Sequence, residues 1–429
     1  MAKEEDLSSC NSFIVKLSII TIIFSFTIFM LFDENLVQGT SSPEGAVDFL
    51  LPEMELEVKI GSIGSTEECD LFKGQWVSNP LGPSYTNNTC NFIDDTSNCL
   101  KNGRPDTGYL YWKWKPYDCE LPPLDADKFM KSMRDKSWAF IGDSILRNQM
   151  QSLTCILSKV EEPVETYHDE TSKSRTFYFP SHNFTLATIW APFLVKYREN
   201  DNIANSIRNK EFQVYLDTLE EKWTQSYHKY DYIVIASGQW YLKSIILWED
   251  GKIVGCHNCA EKSIKEIGVE HPYRRSLKTA FNFITSSDHK PLVFFRTWMP
   301  DHFEYGEWFS GGICNRTRPY KEGEYNGKEF DQVMRDVEVD EFAKVVEVAS
   351  ERGTHIKLLD TFHLSLLRPD GHPGPYRHYP PSDTNKTAKI QNDCLHSCLP
   401  GPIDTWNDLT MKIMVDGGAI KSSSHMFVI

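Results

Sequence analysis

Trp138-Ala-Phe-Ile-Gly-Asp-Ser144 is the stretch that decides the fold. Residues 138–141 form a short apolar run, the pattern of a strand buried on both faces. Residues 145–157 follow with helical spacing. Gly142 permits a tight turn between the two. Ser144 then stands at the carboxyl end of a strand and the amino end of a helix. Open α/β sheets place reactive groups at that edge, and a helix N-terminus aims backbone N–H groups at developing negative charge. Gly-Asp-Ser is also short enough to arise by chance, and Asp143 or Ser144 suits the plain role of helix N-cap.

The alternation recurs downstream. Residues 232–236 read as a second buried strand, and residues 292–295 and 356–359 as a third and a fourth strand. Residues 272–284 put Leu277, Ala280, Phe281 and Ile284 on one helical face, and residues 340–352 do the same with Phe342, Val345, Val346 and Ala349. Gly353 suits the position just past that second helix. Strands alternating with helices predict an α/β fold, a parallel sheet flanked by helices.

A base for the serine is the next requirement. Asp393-Cys-Leu-His396 sets a carboxylate three residues before a histidine. That spacing lets the carboxylate orient the imidazole and stabilise its charged form, and the imidazole can then deprotonate Ser144. Asp370 with His372, between two prolines, is a rival pair, and His302 is a third candidate. Spacing alone leaves all three open.

The flanking sequence gives an address. Residues 17–32 carry no charge, and residues 13–15 extend the run, with Lys16 able to snorkel to the interface. The run ends in Met30-Leu-Phe-Asp33 without a small-residue cleavage pattern, so residues 13–32 are expected to be an uncleaved transmembrane anchor near the lower length limit. Lys3 and Lys16 precede it, and no Lys or Arg follows until Lys59. The positive-inside rule keeps residues 1–12 in the cytosol, a single-pass type II orientation. A short span suits a thin early-secretory membrane, here the Golgi. Residues 33–66 read as a stem, 67–120 as a Cys-rich N-terminal module and 121–415 as the catalytic domain. Of 11 cysteines, Cys10 precedes the anchor and ten follow it. An even count beyond the membrane implies disulfides in an oxidising lumen. Sequons at Asn87, Asn183, Asn315 and Asn385 point the same way. A net charge of -15 argues against nucleic acid. The 13% aromatic content fills a core, with some rings free to line a sugar cleft.

Two long blocks now carry a resemblance. Gly142-Asp-Ser-Ile-Leu-Arg-Asn-Gln149 and Asp393-Cys-Leu-His-Ser-Cys-Leu-Pro-Gly-Pro-Ile-Asp-Thr-Trp-Asn407 resemble the signature blocks of the plant trichome-birefringence-like family of polysaccharide O-acetyltransferases. Ala236-Ser-Gly-Gln-Trp240, Phe295-Arg-Thr-Trp-Met-Pro-Asp-His-Phe303 and Gly311-Gly-Ile-Cys314 resemble its intermediate blocks. The resemblance implies a three-layer sandwich related to Gly-Asp-Ser esterases, with Ser144 as nucleophile, His396 as base and Asp393 as its partner. Gly142, Arg147, Asn148, Gly238, Gln239, Trp240 and His302 are expected around the oxyanion or substrate. It also implies the pairs Cys69–Cys119, Cys90–Cys155, Cys99–Cys398 and Cys314–Cys394.

Cys256 and Cys259 remain. A local disulfide is expected there, over a redox dithiol or half a zinc site with His257, and no metal site is expected elsewhere. Gly255-Cys-His-Asn-Cys259 and Ser-Gly-Gln-Trp240 resemble the branch that includes xyloglucan O-acetyltransferases. The acceptor implied is thus a polysaccharide: xyloglucan first, with xylan or mannan as alternatives. No Gly-rich phosphate loop or nucleotide fingerprint is present, so no bound cofactor is expected. The acetyl group would come from a donor, or from donor-supplying membrane proteins. Ser397 departs from the family, which carries Trp there, and raises the expectation of a reshaped acceptor cleft or a looser His396. The alternatives are an acetyl esterase using water and an inactive glycan-binding protein.

Overall fold

The computed structural model describes residues 69–199, 210–378 and 391–418. The expected tail, anchor and stem, and the sequon at Asn385, lie outside them. No helix among the described residues is long and apolar enough to cross a membrane.

Strands and helices are numbered in chain order. In the Cys-rich module, β1 (Gly74–Ser78) and β2 (Trp112–Pro116) form an antiparallel ribbon with Trp76 directly opposite Trp114. Their rings meet edge to face at 5.7 Å. Each buried indole N–H finds a carbonyl, Trp76 at Leu364 (2.8 Å) and Trp114 at Leu71 (3.0 Å). A module of this size buries too little for a core of its own. Cys69–Cys119 closes it, and Cys90–Cys155 and Cys99–Cys398 bolt it to the rest of the chain.

The decisive apolar run is the middle of β3 (Ser137–Gly142). It lies at the centre of a seven-stranded sheet with β4 (Val164–His168), β5 (Arg175–Phe179), β6 (Phe184–Trp190), β9 (Tyr232–Ile235), β12 (Leu292–Arg296) and β13 (His355–Leu359), in the order β13-β12-β9-β3-β6-β5-β4. The five strands from β13 to β6 are parallel. β5 and β4 add an antiparallel edge. The period-2 alternation of a strand sorts the side chains into two cores. Ala139, Ile141, Ile233, Ile235, Val293 and Phe295 face one side, and Trp138, Phe140, Val234 and Phe294 the other. The first face is covered by α4 (Glu270–Ser286) and α5 (Glu329–Glu351), the second by α1 (Ala126–Ser132), α2 (Ser144–Leu157) and α7 (Asp404–Asp416). Helices on both faces of a mostly parallel sheet make the expected three layers.

Single-turn helices α3 (Glu221–Thr224) and α6 (Phe362–Leu366) lie in the connections. A second, four-stranded sheet was not anticipated. It comprises β7 (Val195–Glu199), β8 (Glu211–Leu219), β10 (Ser244–Glu249) and β11 (Lys252–His257), in the order β11-β10-β8-β7. It packs Phe212, Val214, Leu216, Ile245 and Leu247 into the core beneath α4. α5 starts eleven residues before the expected 340, because the core side of its first half carries Asp331 and Glu338, both buried, which interrupt the apolar stripe.

Candidate active site

β3 ends where the sheet crowds. A Cβ on Gly142 would lie 2.0 Å from the Ala236 carbonyl oxygen, so only glycine fits. Asp143 is the N-cap of α2, its carboxylate accepting from the Ile145 N–H at 3.0 Å. Ser144 is thereby the first residue of the helix, and its own N–H has no helix carbonyl to donate to. The plain N-cap role falls to Asp143 and leaves the Ser144 hydroxyl free for other work.

The loop at 393–398 supplies the partner. It is pinned on both sides of His396, by Cys314–Cys394 and Cys99–Cys398, and by a bridge between Gly374 and Asp393. Asp393 Oδ1 accepts from the N–H groups of Leu395 (3.2 Å) and His396 (3.0 Å), which locks the turn. Asp393 Oδ2 stands 2.8 Å from His396 Nδ1, and His396 Nε2 stands 2.8 Å from Ser144 Oγ. Burial alone would raise the Asp393 carboxyl. The adjacent His396 imidazole, the His396 N–H and the Arg377 guanidinium (3.7 Å from Oδ2) outweigh it and hold the group well below the usual carboxylate range. Ser144 at the start of α2 and the Asp393–His396 pair of a loop far along the chain thus form one hydrogen-bonded line.

The rival histidines do not join it. The Asp370 carboxylate is held by the Arg368 guanidinium at 2.7 Å, so no Asp370–His372 pair exists. His372 Nδ1–H donates to the His396 carbonyl at 2.7 Å, and its Nε2 lies 2.6 Å from His302 Nδ1. His302 Nε2 lies 2.8 Å from the Leu366 carbonyl oxygen. Burial lowers His302 to about 3 and His372 to about 4. His302, expected near substrate, is instead a buried support behind the His396 backbone.

Other expected residues divide. The Asn148 amide is spent on Ser397, taking its N–H at 2.8 Å and donating to its carbonyl at 3.2 Å. Gln239 Nε2–H donates to the Met299 carbonyl at 2.6 Å. Both amides are therefore occupied in holding loops. Gly238 has a φ of +130°, and a Cβ there would meet the Trp298 ring at 2.8 Å. Arg147, Asn148, Gln239 and Trp240 line a cavity of about 330 Å³ that also holds Ser144, Asp393 and His396. Ser397 is buried and does not line this cavity, its hydroxyl donating to the Cys398 carbonyl at 3.1 Å. Cavity residues that sequence reasoning missed are Trp190, Trp308, Lys243 and Arg377. They come from scattered elements with no shared motif.

All four cystines implied by the resemblance are present, and Cys256–Cys259 closes locally at the end of β11. Asn183 and Asn315 are exposed, and Asn87 is half-buried.

A parallel sheet with Gly-Asp-Ser at its carboxyl edge and an Asp-x-x-His loop against it defines the Gly-Asp-Ser class of acyl esterases. Residues 121–413 match the GDSL/SGNH-like acyl-esterase family found in Pmr5 and Cas1p, and residues 67–120 match the PMR5 N-terminal domain. Protein trichome birefringence-like 26 of Arabidopsis thaliana is 52% identical over 350 residues, covering 81% of this chain and 77% of that protein. Protein trichome birefringence-like 24 of the same plant is 46% identical over 418 residues, covering 95% of this chain and 97% of that protein. Xyloglucan O-acetyltransferase 1 of Populus trichocarpa is 39% identical, with 82% of each chain covered. The chain belongs to the trichome-birefringence-like family.

Proposed function

We propose that this protein is a cell-wall polysaccharide O-acetyltransferase working through an acetyl-serine intermediate. The observation that carries the reading is the line Asp393–His396–Ser144, with 2.8 Å at each link. Ser144 Oγ attacks the carbonyl carbon of an acetyl donor while His396 Nε2 takes its proton. The donor's leaving group departs with that proton. An acceptor sugar hydroxyl, deprotonated in turn by His396, attacks the acetyl carbon, and Ser144 Oγ leaves and regains its proton. Asp393 stays ionised throughout and stabilises the imidazolium between the two half-reactions. The Ser144 N–H at the start of α2 and the Gly238 N–H would hold the oxyanion.

Xyloglucan is the first acceptor to try, because relatives of that name share 39% identity over about four-fifths of this chain. In the same reading residues 13–32 anchor the protein in the Golgi membrane with the site in the lumen, and the exposed sequons carry glycans. An esterase would use the same three residues with water in place of the sugar. Incubating the lumenal domain with an acetyl donor, with and without oligosaccharide, separates the two. Transfer predicts acetylated oligosaccharide at the expense of free acetate. Acetate release that oligosaccharide does not divert would point to the esterase.

A further inference from the structure

The acidic groups of the cavity are all answered by a cation. Asp94 is paired with Arg147 (3.5 Å) and Arg175 (3.3 Å), Asp301 with Lys328 (2.8 Å), and Asp393 with His396 (2.8 Å). Two lysines set over the cavity's tryptophan rings have no such match among the described residues. Lys243 lines the cavity, with Nζ 4.8 Å from the Trp240 ring centre and 5.5 Å from that of Trp308. Lys173 Nζ lies 5.0 Å from the ring centre of Trp190 and 5.8 Å from that of Trp240. All three rings line the same cavity as Ser144.

The neighbouring acids are engaged elsewhere. Asp169 accepts from the N–H groups of Thr171, Lys173 and Ser174, capping its own turn. Glu199 is paired with Lys210. Burial lowers both lysines. Repulsion from Arg147 adds to this at Lys173, with Asp169 and Glu199 pulling partway back, and repulsion from Lys173 and Lys210 adds to it at Lys243. Bringing half-buried, mutually repelling cations together costs free energy, and the ring faces offset only part of it. An incoming anion would recover the rest, because each ammonium would gain the charge-assisted hydrogen bond it lacks in the fold.

We propose that Lys173 and Lys243, set over Trp190, Trp240 and Trp308, form an anion subsite of the cavity that holds Ser144. It takes a carboxylate or phosphate group carried by one of the two substrates. The inference rests on reading Ser144 as the reacting serine. The two sources of the anion are a uronate on the acceptor and a phosphate on the donor.

The test uses the lumenal protein with Ser144→Ala, so that binding is read without turnover. Isothermal titration at low salt compares a glucuronate-bearing xylo-oligosaccharide with its neutral counterpart, and a phosphate-bearing acetyl thioester with a phosphate-free one. In one pair the charged member should bind about tenfold tighter, as a charge-assisted contact implies. Added Lys243→Met or Lys173→Met should bring that ratio toward one, and Lys→Arg at the same positions should restore it. Methionine keeps a long apolar stem against the rings, and neither ammonium holds the fold together, so the variants should fold. The pair that shows the advantage names the source. No advantage in either pair, or an advantage that survives both methionine variants, overturns the subsite. An advantage persisting in a protein whose wild type transfers no acetyl would leave the subsite standing and remove the proposed chemistry.

Discussion

Asn148 and Ser397, 249 residues apart, are joined by two hydrogen bonds: the Ser397 N–H donates to Asn148 Oδ1 at 2.8 Å, and Asn148 Nδ2–H donates back to the Ser397 carbonyl at 3.2 Å. The buried amide therefore ties α2, four residues after Ser144, to the residue following His396. The contact uses only the Ser397 backbone, so it does not depend on the side chain at that position. With the flanking disulfides, this tie holds His396 beside Ser144.

Asn148→Leu should remove it while keeping the volume. It leaves a buried N–H and carbonyl without partners, a cost of about 1–3 kcal/mol in stability. Looser placement of His396 should lower kcat on the order of 10–100-fold, with a smaller change in KM. Thermal unfolding and steady-state transfer measure the two effects. Asn148→Asp, which keeps the acceptor and loses the donor, should fall between.

Cys99–Cys398 spans 299 residues and anchors the base loop to the Cys-rich module. Replacing both cysteines with serine should cost about 2–5 kcal/mol. Activity should fall further than stability accounts for, since Cys398 is two residues from His396. Comparing activity well below the new melting temperature isolates the second effect.

Glu338 supplies a pH dependence unrelated to the triad. It is buried among Tyr273, Trp298 and Arg296, and burial raises its carboxyl to about 8. The unfolded value is about 4.3. A carboxyl raised on folding contributes stability fully below its unfolded pKa, and that contribution is lost as pH rises through the folded one. Glu338→Gln, which cannot ionise, should therefore gain on wild type in melting temperature between about pH 5 and pH 8. A difference constant across that range would mean that Glu338 is not held neutral.

His372→Gln tests the support behind His396. A glutamine amide can still donate to the His396 carbonyl, so activity should be largely kept. His372→Ala should lower kcat without shifting the pH profile, as expected of a positioning residue. A shifted profile would indicate that His372 titrates in the reaction.

Sequence alone disclosed the elements whose physics is local. β3, β9 and β12 are buried on both faces and so appear as near-continuous apolar runs, while the edge strand β13 shows only the short Ile356-Lys-Leu-Leu359 pattern with Lys357 exposed. The face of α4 was visible because four of its buried positions, Leu277, Ala280, Phe281 and Ile284, are apolar and recur at helical spacing. The first half of α5 was hidden because Glu338 and Asp331 are buried, with polar partners contributed by Tyr273 and Trp298. β8 carried a usable signal in the alternation of Phe212, Val214 and Leu216. At the site, spacing put Asp393 near His396 but could not choose between His396, His372 and His302. That choice depends on which face of a folded loop each imidazole takes, and tertiary contacts decide it. Lys173, Lys243, Trp190 and Trp308 converge from separate elements, which no local pattern encodes.

The central claim is that Ser144 carries the acetyl group. The most direct measurement is mass spectrometry of the Ser144 peptide after brief incubation of the purified protein with an acetyl donor and no acceptor, beside transfer assays of Ser144→Ala. The account predicts an acetyl group on Ser144 that disappears when oligosaccharide is added. It predicts a loss of transfer on the order of 10⁴-fold or more in Ser144→Ala, because nucleophile and base act as a unit. Near-wild-type transfer by Ser144→Ala, or an acetyl group on another residue that is passed to oligosaccharide, would contradict it.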